Sequence, residues 1–190
     1  MAPLSDRVRH EFAALALGYY ASGRLSVRAG AGPLVSAHIF HHAVEFVLKA
    51  TLARHTTLAE MKKFGHRLPD LFTLAEARSA ELRSDEHRAT ATRLHELWEL
   101  RFPDRILSEG ATFSFTPGER TAEPRADARS GSPHGDMVEL ARIDRLFCAG
   151  FRAAGLTPAA FMERLGPDAR QAIRSDNPEQ FFLFNAPEGT

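Results

Sequence analysis

The chain holds a single cysteine, Cys148. One thiol excludes an intrachain disulfide and a cysteine-based zinc site. Its place between Phe147 and Ala149, in an apolar segment, reads as a buried core thiol. Net charge is absent as well. Over 190 residues, 24 Lys and Arg balance 24 Asp and Glu, so no global basic field points to nucleic acid. No apolar run reaches the length of a membrane span. The first residues, MAPLSDRVRHE, meet charge too early for a secretory signal. A cytoplasmic location without membrane attachment is the expectation. Lysine is scarce, since 21 of the 24 basic residues are Arg. Arg is the better residue for forked contacts to phosphate or carboxylate, although a GC-rich genome produces the same bias.

The sequence is rich in helical periodicity. A first helix is expected from about Ser5 to Arg28, with Val8, Phe12, Leu15 and Tyr19 at helical spacing and Ser5 or Asp6 as cap. The turn at 29–33 precedes a second helix, Val35 to Arg54, which should return antiparallel to the first. Residues 55–65 read as a connection. Leu68-Pro69-Asp70 opens a third helix that can bury Leu71, Phe72, Leu74 and Ala75. A fourth runs from Ser84 to Phe102-Pro103, its inner face Thr90, Ala91, Leu94, Leu97, Trp98 and Arg101.

Residues 106–135 are rich in Gly, Pro, Ser, Glu and Arg, and only Ala111 to Phe115 (ATFSF) suggests an extended piece. Asp136, with Glu139 at capping-box spacing, should start a fifth helix that buries Met137, Leu140, Ile143, Phe147 and Phe151. A short helix after Thr157-Pro158, another over 167–174 and a Phe-rich tail at 179–184 complete the chain. The expected fold class is all-α, a four-to-five-helix antiparallel bundle over residues 1–154 with a long loop at 106–135. Residues 155–190 form a short helical extension and docking tail.

The second helix carries the chemistry. Its run HHAVEFVLKA (His41 to Ala50) is apolar nearly all round, with Val35, Ile39, Ala43, Phe46 and Ala50 on one face and Phe40, Val44, Val47 and Leu48 largely opposite. Against that background His38, His42, Glu45 and Lys49 share a stripe about 60° wide. Ionisable groups on a buried helix need partners. Three readings stay open. Glu45 pairs with Lys49 at i,i+4 while the histidines bond across the bundle. Alternatively, His42, Glu45 and Lys49 join His66 and Arg101 to recognise a phosphate or nucleotide. In the third, His38, His42 and Glu45 ligate a divalent ion at i,i+4,i+7. The Glu-x-x-His pairs of di-iron bundles are missing and Lys49 opposes a cation, so the sequence assigns no metal and no cofactor.

Three local signals occur in order: HHAVEFVLKA, then Gly65-His66-Arg67-Leu68-Pro69-Asp70-Leu71, then Leu97-Trp98-Glu99-Leu100-Arg101-Phe102-Pro103-Asp104. Together they resemble the HEPN family (higher eukaryotes and prokaryotes nucleotide-binding domains) over about residues 6–154. Bacterial members carry similar H-A-x-E-x-x-L-K-A, G-H-x-L and R-Y-P-D segments. The resemblance implies a helical bundle, often a homodimer, with RNA or a nucleotide as ligand. It also implies toxin–antitoxin or defence roles, and a nucleotidyltransferase or antitoxin as partner. The function expected on this basis is a binding or regulatory module recognising a nucleotide, RNA or a protein partner.

The alternative is a metal-independent endoribonuclease toxin. Family ribonucleases carry an Arg, then four to six residues, then a His. Two pairs here have that spacing, Arg88 with His95 and Arg129 with His134. The first supplies the candidate catalytic pair, His95 taking the 2′-hydroxyl proton and Arg88 stabilising the phosphorane. Neither pair has the family's usual polar residue directly after the Arg; Ala89 and Ser130 stand there.

Overall fold

In the computed structural model, which describes residues 4–100, 113–116 and 136–185, the chain is predominantly helical. Five helices come first: α1 (Asp6–Arg28), α2 (Pro33–Leu52), α3 (Leu58–Phe64), α4 (Leu68–Glu76) and α5 (Asp85–Glu99). Two short strands follow, β1 (Phe113–Thr116) and β2 (Asp136–Glu139), and then α6 (Leu140–Ala153), α7 (Pro167–Arg174) and α8 (Gln180–Phe184). Turns of 3₁₀ helix lie at Ala80–Leu82 and Pro158–Arg164.

α1 and α2 form an antiparallel hairpin. Ser5 caps α1 by accepting from the Val8 amide, and Pro33 starts α2 at a position where its missing N–H costs nothing. Leu4 N donates to Ala53 O at one end of the pair, and Ser26 meets Ser36 at the other. The two helices come close. A Cβ on Gly23 of α1 would lie 2.7 Å from the Phe40 ring, so this contact requires glycine.

α2 is the central element and packs on α1, α4, α5 and α6. Phe40, Val44, Val47 and Leu48 are fully buried. Gly150 of α6 lets that helix approach, since a Cβ there would sit 2.7 Å from Val47 Cγ1. Thr51 Oγ1 donates to the Gly150 carbonyl across the same contact, at 3.1 Å. The outer side of α2 is not sealed, and Val35 is 55% exposed.

The expected faces hold for α4 and α6 and mostly for α5. Leu71, Phe72 and Ala75 are buried, as are Thr90, Ala91, Leu94 and Leu97, then Leu140, Ile143, Phe147 and Phe151; Cys148 is a buried core thiol. Three expectations need correction. The buried face of α1 is not Val8, Phe12, Leu15 and Tyr19 but Arg9, Ala13, Ala16, Leu17, Tyr20, Ala21 and Arg24. Small residues let α1 lie close to α2, and the larger apolar side chains stay at the rim. Residues 55–65 contain a helix, α3, capped by a reciprocal Thr57–Glu60 box. Asp136 starts a strand rather than a helix. Asp136–Glu139 pairs in parallel with Phe113–Thr116, Phe113 opposite Asp136, and α6 begins only at Leu140. This pair of strands departs from a purely helical chain.

The C-terminal extension is tied to the bundle by a buried polar network. Arg24 Nη1 donates to both Asp144 oxygens at 2.6 Å, and its Nε donates to Ala172 O at 2.9 Å. Tyr20 Oη donates to Asp144 Oδ1 at 2.6 Å and accepts from Asn177 Nδ2 at 2.7 Å. Arg24 and Asp144 are almost wholly shielded from solvent. Leu183, rather than a phenylalanine, is the buried anchor of the tail, while Phe181 is 79% exposed.

Removing one partner of a buried ion pair strands the other charge. Asp144→Ala should cost about 3–5 kcal/mol in urea unfolding. The double variant Arg24→Met/Asp144→Leu should recover much of that loss. A single-variant loss near the roughly 0–1 kcal/mol of an exposed pair would show that the network does not hold the extension.

Candidate functional site

The site is built around one carboxylate. Glu45 lies in the middle of α2 and is 1% exposed. Its helix supplies three neighbours by spacing alone: His41 at i−4, His42 at i−3 and Lys49 at i+4. A fourth, His66, comes from the turn between α3 and α4. Gly65 there has φ +52°, a conformation that favours glycine, and it swings His66 back towards α2.

His42 Nδ1 lies 3.3 Å and His66 Nδ1 2.9 Å from Glu45 Oε2, and Lys49 Nζ donates to Oε1. His41 Nδ1 is 3.8 Å from Oε2, beyond hydrogen-bonding distance. Burial alone would raise the carboxyl of Glu45. Hydrogen bonds from His42, Lys49 and His66 override it and hold the group down at about 2, so it is ionised at neutral pH.

Aromatic rings close the deep side. His41 stacks on Trp98 of α5 with centroids 4.7 Å apart and planes 10° apart. His95 stacks on the same indole at 5.6 Å and lies 5.7 Å from His41. His66 is tilted against Trp98 at 5.5 Å. On the outer side Tyr19 of α1 lies 5.4 Å from His42 and stacks on Phe46 at 5.5 Å. The cluster opens towards solvent through His66, His42 and the edge of Lys49, whose side chains are 55%, 30% and 13% exposed.

His42, Glu45, Lys49 and His66 therefore converge. Arg101, expected beside them, lies outside the described residues, as do Arg129 and His134. Arg88 is engaged by Glu76 through two contacts of 2.6 and 2.8 Å. It lines a groove of about 580 Å³ between α5 and the β2–α6 junction. There Arg93 and Arg142 are themselves held by Glu96 and Glu139, each at 2.9 Å. His95 instead belongs to the rings around Trp98.

His41 was missing from the stripe read off the sequence. It is completely buried, and neither ring nitrogen has a hydrogen-bond partner. Its signal was nonetheless present, because His41 and His42 flank Glu45 by about 40° and 60° in helical projection. Among the described residues, the group with ligand atoms close enough to share an ion is His41, His42 and Glu45, within 4.8 Å of one another. His38 is not part of it.

No family model, no curated protein and no solved structure matches the chain. The site is therefore read from its own chemistry.

Burial drives the His41 imidazole down to about 3 from its ordinary 6.5. An unfolded chain takes up a proton there that the folded chain refuses, so stability falls as pH drops from about 6.5 towards 3. Glu45 acts with the same sign. Its contribution is complete above its ordinary 4.5 and is lost as pH falls towards about 2. Urea unfolding with chelator present should show progressive loss of stability from pH 7 to pH 4. His41→Phe should flatten the part between pH 6.5 and 4.5. An unchanged slope in that variant would remove His41 as its cause.

Proposed function

We propose that this chain is a HEPN-like helical binding module whose Glu45-centred cluster recognises the phosphate of a nucleotide or of RNA. The observation that carries the reading is convergence. His42, Glu45 and Lys49 come from the first motif, His66 from the second and Trp98 from the third, and they meet at one partly open spot. Shelter for Glu45 would be met by donors buried with it, whereas His42 and His66 stay partly exposed at the opening.

The chemistry suits a phosphorylated aromatic ligand. Lys49 presents donors at the mouth, and His42 and His66, whose Nδ1–H groups go to Glu45, add Nε2–H donors when protonated. Tyr19, 37% exposed, offers a ring face beside them on which a base can stack. Glu45 orients the donors. A homodimer acting in a toxin–antitoxin or defence setting, with a nucleotidyltransferase or antitoxin partner, fits this reading. The binding role is favoured over an Arg88–His95 nuclease because Arg88 is committed to Glu76 while His95 is stacked in the interior of the ring cluster.

The test uses purified full-length protein in EDTA with ATP, GTP and a structured RNA, followed by thermal unfolding and gel analysis. Stabilisation by a nucleotide or RNA is expected, reduced at least about tenfold in apparent affinity by Lys49→Ala or His66→Ala. RNA should remain intact. Cleavage in EDTA that is lost in His95→Ala would overturn the binding reading in favour of the nuclease. Absence of stabilisation by any of these ligands would also overturn it.

A further inference from the structure

We propose that His41, His42, Glu45 and His66 form a site for one divalent transition-metal ion of the zinc class. Three imidazole nitrogens gather around one carboxylate oxygen. The Nδ1 atoms of His66, His42 and His41 lie 2.9, 3.3 and 3.8 Å from the same carboxylate oxygen, Glu45 Oε2. A tetrahedral zinc site with metal–ligand bonds of about 2.0–2.2 Å has ligand-to-ligand edges of about 3.3 Å. The three separations bracket that edge. Within the trio His41, His42 and Glu45 the ligand atoms all lie within 4.8 Å, so small ring rotations close these three on an ion, and the more exposed His66 turns in from the mouth as the fourth.

Hydrogen bonding to Glu45 accounts for His42 and His66 without an ion. It does not account for His41. That ring is fully buried, both its nitrogens lack a partner, and Nδ1 points into the same cluster from beyond hydrogen-bonding distance. A buried imidazole without partners is a standing cost to the fold, and an ion among the four ligands supplies Nδ1 with one. Burial also keeps this imidazole neutral at pH 7, which leaves a lone pair for a metal.

The surroundings have the form of an outer shell. Lys49 donates to Oε1, the oxygen an ion on Oε2 would leave unused, and so orients the carboxylate; ligating carboxylates are commonly fixed this way. Trp98 stacks on His41 and packs against His66, limiting the rotation of both rings. Three imidazoles and one carboxylate suit zinc, cobalt or nickel better than magnesium or calcium, which prefer all-oxygen sets. Lys49 is the opposing feature. Its charge is already paired with Glu45, which lessens the repulsion without abolishing it.

The inference uses the same residues as the phosphate reading but not its premise, and its probe is the metal alone. Full-length protein is stripped with EDTA, exchanged into chelator-free buffer, and titrated with ZnCl₂ by calorimetry and with CoCl₂ by visible absorbance. One ion per chain is expected, with the intense visible bands of four-coordinate cobalt and a higher unfolding temperature.

His42→Ala and His66→Ala remove partly exposed ligands, so both variants should fold. Each should weaken binding about tenfold or more and change the cobalt spectrum. His55→Ala, at an exposed position away from the cluster, should bind as the parent does. Failure to saturate at one equivalent would overturn the proposal. So would binding that neither His42→Ala nor His66→Ala alters, or an octahedral cobalt spectrum. Nucleotide stabilisation in EDTA without metal binding removes this inference and leaves the phosphate reading. Metal binding without nucleotide stabilisation does the reverse.

Discussion

A carboxylate at the centre of an apolar helix constrains its neighbours in the bundle. Glu45 cannot be sheltered from water unless donors reach it. The donors come from α2 itself and from the turn before α4, while α5 supplies the indole that packs the rings around them. This requirement links distant segments. His66 must return to α2, which demands the unusual backbone at Gly65 and hence a tight turn between α3 and α4. Trp98 must face His41, which sets the rotation of α5 about its own axis. Hydrophobic burial alone would tolerate several rotations of these helices, since it is not directional, whereas hydrogen bonds to one carboxylate are.

The second buried charge plays the same part at the other side of the bundle. Asp144 sits on α6 where Phe147 stacks on Tyr20 at 4.0 Å, and it accepts from both Arg24 and Tyr20. Through Arg24 Nε and Asn177 the network reaches the backbone of α7 and the turn after it. α1 thus meets the rest of the chain through alanines and two buried arginines as well as through Leu17 and Tyr20. Arg9 repeats the pattern, donating to Ala154 O at 2.9 Å just beyond the end of α6.

That arrangement explains which parts of the fold were legible in the sequence. α2, α4, α5 and α6 follow the 3.6-residue period of large apolar side chains, and their buried faces largely match it, with Val35 of α2 a clear exception. α1 misleads because its buried face mixes Leu17 and Tyr20 with alanines and two arginines, residues that periodicity scores as weak or polar. Nothing local in the sequence marks Arg24 as the partner of Asp144, 120 positions away. α3 was readable from Thr57-x-x-Glu60, a capping box in a stretch otherwise resembling a connection. Asp136 and Glu139 have the same spacing and form no cap, because Asp136–Glu139 pairs with β1 instead. A capping pattern is thus informative only where no strand partner competes. At the site, His42, Glu45, Lys49 and His66 were legible, the first three as a helical stripe and the last through its motif. His41 lies off the stripe because adjacent helical residues diverge by about 100°, although a carboxylate placed between two such residues brings their rings together.

Phosphate recognition and metal binding at this cluster are compatible in charge. Glu45 and Lys49 cancel, and His41 is neutral. A divalent ion among His41, His42, Glu45 and His66 would give the cluster a net positive charge directly behind the opening. It would also occupy the Nδ1 lone pairs of the imidazoles, leaving Lys49 as the donor an incoming phosphate meets, with the field of the ion behind it. Affinity for a phosphorylated ligand should then rise with metal occupancy. By linkage, the ligand should tighten the metal by the same factor.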